Sequence, residues 1–137
     1  MRPIARSVAV LALAVTLAAC STTDEPRVCL AGKAAVETQL FFGLSTAHGA
    51  VSAREWESFV AREIAPRLPE GFTILDARGF WLSAAAKRTI SENSKVLIRV
   101  HDIDKDADAL GAIIESYKRA FAQESVLRVD SPICAAF

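Results

Sequence analysis

Two amphipathic helical stripes set among four alternating strands, in the order strand–helix–strand–strand–helix–strand, predict an α+β domain of ferredoxin-like βαββαβ topology. Three observations carry this expectation. Complete start signals mark a helix near Ser52, strict alternation runs from Lys95 to His101, and a second apolar stripe follows from Leu110 to Phe121. In this topology one antiparallel sheet has both helices on one face and leaves the other face open.

Thr38 to Leu44 reads as the first strand, with Leu40, Phe42 and Leu44 on one side and Gln39 and Phe41 on the other. A loop with His48 and Gly49 follows. Ser52 and Glu55 form a capping box, and Val51 and Trp56 occupy the positions of a hydrophobic staple. Trp56, Phe59, Val60 and Ile64 recur at helical spacing up to Pro66, which predicts a helix at about 53–65. Phe72 to Leu82 alternates as a strand. Residues 83–94 read best as the return of an extended hairpin, leading into the strand Lys95–His101. The second helix carries Leu110, Ile113, Ile114, Tyr117 and Phe121 on one stripe, and Ser125 to Val129 is the last strand, ending near Pro132.

The N-terminal segment has a different character. Arg2 and Arg6 precede an uncharged apolar run from Ser7 to Ala19, a secretory signal layout. The run is too short to span a bilayer, which takes about 20 residues. Its Leu17-Ala18-Ala19-Cys20 ending resembles the bacterial lipobox, in which the cysteine is acylated and becomes the first mature residue. The expected organisation is a signal peptide at 1–19, a lipidated tether at 20–28 and one domain at 29–137; the alternative is a plain secreted protein. Ser21 stands where an Asp commonly retains lipoproteins in the inner membrane, which points to the periplasmic face of the outer membrane.

Removal of Arg2 and Arg6 from the sixteen basic residues leaves fourteen against sixteen acidic ones. No basic patch is visible, so nucleic acid is not an expected partner. With Cys20 acylated, Cys29 and Cys134 remain, and two thiols in an oxidising compartment are expected to pair; two buried free thiols are the alternative. The topology favours pairing, because it sets the end of the last strand beside the start of the first.

Chemical motifs are scarce. Asp102, Asp104, Asp106 and Asp108 invite a calcium reading, but an EF-hand loop from Asp102 would need Gly at Ala107 and Glu at Ile113. Acidic residues at the start of the second helix fit its dipole instead. No metal cluster, nucleophile elbow or phosphate-binding glycine loop is present, and no cofactor is implied. One constellation stands out. With Val96, Ile98 and Val100 placed under the helices, the open face presents Arg99 and His101, joined by Asp76, Arg78 and Arg128 from neighbouring strands. That surface suits a small anionic ligand or a homodimer interface. On this phase Arg99→Ala leaves folding intact, whereas Ile98→Ala costs about 2–5 kcal/mol as a core truncation.

Four segments, Glu37–Leu44, Gly71–Ala77, Ser94–Leu97 and Gln123–Leu127, together resemble a bacterial family of small exported proteins known only as a domain of unknown function. The resemblance runs from about Cys29 to Phe137 and implies no activity. Ala84-Ala85-Ala86 departs from the glycine-containing turn of that family. The expected function is a lipid-anchored envelope domain that binds a partner or small ligand. The second expectation is a cofactor-independent enzyme of the dimeric α+β barrel type, with His101 as acid or base.

Overall fold

In the computed structural model, residues 28–47, 49–83 and 86–136 are described. The signal segment, Cys20, most of the tether and His48 lie outside them. The chain forms β1 (Lys33–Gly43), two short strands β2 (Ser45–Thr46) and β3 (Gly49–Ala50), α1 (Ala53–Phe59) with a π-helical continuation (Val60–Ile64), β4 (Thr73–Ser83), β5 (Arg88–His101), α2 (Ala107–Phe121) and β6 (Leu127–Ala135). The main sheet runs β4-β5-β1-β6 with every pair antiparallel. Long strands in this order with two helices on one face are the ferredoxin-like arrangement.

The helix start is as the sequence predicts. Ser52 Oγ accepts from the Glu55 amide and the Glu55 carboxylate accepts from the Ser52 amide. The Ser52 hydroxyl also donates to that carboxylate, and this bond, with the one from the amide, holds the Glu55 carboxyl below its ordinary pKa. The stripe that follows is one helix in the sequence, but after Phe59 it widens to a π turn, with Ala65 N–H donating to the Val60 carbonyl. Strand β1 begins five residues before the expected Thr38. Lys33 to Glu37 carry no strand-like alternation; the ladder to β6 holds them extended, joined by β5 from Val36 on. Strand β6 continues past the expected end through Pro132, a residue that an edge strand tolerates.

Leu40 and Phe42 of β1 and Leu97 of β5 pack under Trp56, Phe59, Ile64, Leu110, Ile113 and Tyr117. Phe42 and Tyr117 meet edge to face at 4.7 Å, and Trp56 lies 5.3 Å from Phe42. Tyr117 donates its hydroxyl to the Gly43 carbonyl at 2.8 Å, and burial pushes its pKa up. Cys29, just before β1, and Cys134, in β6, are joined with Cα atoms 5.6 Å apart.

The strand phase differs from expectation. Leu97, Arg99 and His101 are buried on the helix-covered face, while Val96, Ile98 and Val100 turn to the other face, where Ile98 and Val100 are half-buried and Val96 is 6% exposed between its neighbours. An alternating strand admits only two phases, and apolarity alone selects the wrong one here.

Candidate functional site

All five residues expected on the open face belong to the other one. Arg99 and His101 lie under the helical layer. Asp76 faces the same way and pairs with Lys95. Arg78 follows in the same row of β4, exposed on the protruding hairpin. Arg128 is paired with Asp130 on β6. Arg99, His101 and Arg128 fall into two networks and Asp76 pairs separately with Lys95, so the five do not make one surface.

The first network is centred on Arg99. Its Nε donates to Asp106 Oδ2 at 2.7 Å, and its two terminal nitrogens donate to the Gly71 carbonyl at 2.8 Å and to Glu70 Oε2 at 3.0 Å. Burial works against the charge, but the bonds to Asp106 and Glu70 prevail and raise the Arg99 pKa. Asp106 sits at the N-cap of α2 with φ of 66°, and its carboxylate serves Arg99 instead of capping the helix. Lys105 reaches Glu70 from the same loop, and its bond is the main cause holding the Glu70 carboxyl below its ordinary pKa.

The second network runs across β5, β1 and β6. His101 Nδ1 lies 2.8 Å from the Asp102 carbonyl oxygen, and Nε2 lies 2.9 Å from the hydroxyl of fully buried Thr38. Thr38 donates to Asp130 Oδ1 at 2.5 Å, and Arg128 grips the same carboxylate. A carbonyl only accepts, so Nδ1 faces its acceptor at Asp102, while the single Thr38 hydroxyl proton goes to Asp130. Burial would raise the Asp130 pKa, yet these two partners bring it below the ordinary value.

A cavity of about 320 Å³ opens between the networks, lined by Lys33, Arg99, His101, Asp102, Lys105 and Glu70 among others. Its charges are already matched: Lys33 pairs with Asp102 at 2.7 Å, and Lys105 and Arg99 share Glu70. Among the described residues no buried side-chain nitrogen or oxygen lacks a partner, and no three His, Cys, Asp or Glu are grouped to hold a metal. The arrangement ties the loops at residues 70–71 and 102–106 onto the sheet. His101 lies on the helix-covered side and supplies no acid or base to the open face.

What the open face does carry is apolar. The register sets Leu75, Val96, Phe41 and Leu127 side by side across all four strands, and the next row is Thr73, Ile98, Gln39 and Val129. Val100, Glu37 and Ser131 follow, then Ala35 and Ile133. Leu127 is 60% exposed, Leu75 48% and Val129 39%. Glu37 is the one charged side chain in these rows, and it accepts a bond from Gln39. The sequence contained the signal for this face, since Phe41 and Gln39 were expected on it, but the β5 row was assigned to the core.

The model of the family described as protein of unknown function DUF3574 matches residues 37–137. The chain belongs to that family. No curated protein matches it. Among solved structures, a phage SAM lyase in complex with S-methyl-5'-thioadenosine is similar, at 21% identity over 79% of this chain and 95% of the other, with a TM-score of 0.53. The periplasmic divalent cation tolerance protein CutA from Archaeoglobus fulgidus is similar at 13% identity over 74% and 87% of the two chains, with a TM-score of 0.49. At 21% identity the likeness to the lyase is one of fold.

Proposed function

We propose that this protein is an exported, lipid-anchored envelope domain that works as an interaction module and self-associates through the open sheet face. The observation that carries this reading is the unbroken apolar row Leu75–Val96–Phe41–Leu127 on a face that no helix covers. A monomer rarely leaves such a patch bare without using it. Four strands about 4.8 Å apart and seven residues of about 3.4 Å each span roughly 450 Å² in projection, the scale of functional patches. The occupant that fits is a second copy of this chain. These rows contain one carboxylate and no basic side chain, so they do not select a charged partner, and homodimer interfaces are the more apolar class.

Ile98→Lys and Val129→Lys are each expected to weaken association by at least about tenfold while leaving the circular dichroism of the fold unchanged. Sedimentation equilibrium of the full chain reads this directly. A wild-type monomer at micromolar concentration overturns the reading, as does unaltered association in both variants.

The anchor rests on the lipobox at Cys20, and paired cysteines suit the oxidising compartment beyond the inner membrane. Among the described residues no helix is long and apolar enough to cross a membrane. Cys20→Ser is expected to abolish acylation and release the protein from the membrane fraction. Identical partitioning of wild type and mutant, with no acyl mass on the wild type, contradicts the anchor.

A further inference from the structure

On the side of the molecule away from the sheet, the α1–π segment and α2 enclose a groove of about 750 Å³, within the range of small-molecule sites. Arg54, Arg62, Arg67 and Arg119 line it together with Glu55 and Glu63. Both carboxylates are engaged. Glu55 accepts from the Ser52 amide at 2.8 Å and from the Ser52 hydroxyl at 2.6 Å, and Glu63 holds Arg67 at 3.0 Å. Among the described residues Arg54 and Arg62 have neither ion pair nor hydrogen bond, and Arg119 has only the Ser116 hydroxyl at 3.3 Å. Three guanidinium groups therefore border one concavity with no direct ion pair, and four arginines against two carboxylates leave its lining with an excess of positive charge, in a chain whose formal net charge is zero. Arg67 of the groove, and Arg99 and Arg128 elsewhere in the fold, are each matched to a carboxylate.

The π turn contributes to the convergence. Four residues of an α-helix overshoot one turn by about 40°, so Arg54, Ser58 and Arg62 would drift apart around a regular axis. The wider turn from Val60 to Ile64 holds more residues and keeps Arg62 nearer the line of Ser58, as at the functional sites where π turns recur. Ser58 and Ser116 add hydroxyl donors from the two walls, and half-buried Phe121 adds an apolar surface.

We infer that this groove binds an organic phosphate. Guanidinium forks and hydroxyls suit a tetrahedral anion with several acceptor oxygens. The volume exceeds that of a bare phosphate, which leaves room for an organic part against Phe121. A soluble phosphate ester and a phospholipid headgroup share this chemistry. The site lies on the opposite side of the fold from the open sheet face and is independent of its role.

The test uses the full chain in two arms. Calorimetry measures pyrophosphate and adenosine diphosphate, and co-sedimentation compares vesicles of phosphatidylcholine with and without phosphatidylglycerol. The anchor contributes equally to all variants, so the readout is the increment from phosphatidylglycerol. Loss of at least about tenfold in affinity is expected for Arg54→Gln/Arg62→Gln and for Arg119→Gln, but not for Arg78→Gln, an exposed arginine on the hairpin. Thermal melts check that the variants fold; these arginines make no contact that the fold needs. Arginine-dependent binding in the first arm identifies a soluble ester, and in the second a headgroup. Absence of binding in both arms, or binding that the groove variants retain, overturns the inference.

Discussion

Arg99→Ala is expected to destabilise the domain by about 3–5 kcal/mol, the cost of breaking a buried ion pair from one side. The substitution strands the Asp106 carboxylate, which is 13% exposed, and leaves the Gly71 carbonyl without its donor. It also removes one of the two cations that hold Glu70, leaving Lys105 as the remaining tie between the two loops. Ile98→Ala is expected to cost less, because Ile98 lies on the face that no helix covers. This is the reverse of the order implied by placing the apolar β5 row in the core. Chemical denaturation of the two variants at neutral pH decides it. A wild-type midpoint for Arg99→Ala, with unfolding of Ile98→Ala, contradicts the burial described above. A cycle with Asp106→Ala separates the pair's coupling from lost packing, and a coupling near zero removes the ion pair as the cause.

The second large effect concerns Cys29 and Cys134, which are 105 residues apart in sequence. Closing a loop of that length is worth roughly 4–5 kcal/mol in the chain-entropy model, an upper figure because strain and residual structure reduce it. Cys134 is exposed, so little packing energy depends on it and the loss acts mainly through the unfolded chain. The double variant Cys29→Ser/Cys134→Ser is expected to unfold at clearly lower denaturant with its sheet content intact. Non-reducing mass spectrometry of the wild type should recover the two cysteines as one linked peptide pair. Alkylation of both thiols without denaturant overturns the expectation.

The fold was legible where its signals are local. Ser52, Glu55, Val51 and Trp56 announce a helix start within six residues, and Leu110 to Phe121 announce a buried stripe. The topology followed from element order. The phase of β5 was not legible, since Arg99 and His101 are stable inside only through partners far along the chain. Glu70 and Gly71 lie 29 and 28 residues from Arg99, and Thr38 lies 63 from His101. Alternation shows that two rows exist; the deciding contacts come from loops whose sequence carries no periodic signal. The groove arginines escaped notice for a related reason. Arg54, Ser58 and Arg62 are spaced along one helix, but Arg119 and Ser116 reach them only once the two helices pack.

The position of the Cys29–Cys134 link also has a mechanical consequence. Tension arriving along the chain from before Cys29 divides at that residue, one part entering β1 directly and the other crossing the sulfur bridge into β6. The two strands are antiparallel neighbours in register from Lys33 to Phe41, and β1 is also laddered to β5. A pull on the N-terminal side is thus borne by two adjacent strands at the same end of the sheet. Peeling β1 away from β6 one hydrogen bond at a time, the weakest way for a sheet to fail under load, is blocked at its first step by a covalent bond.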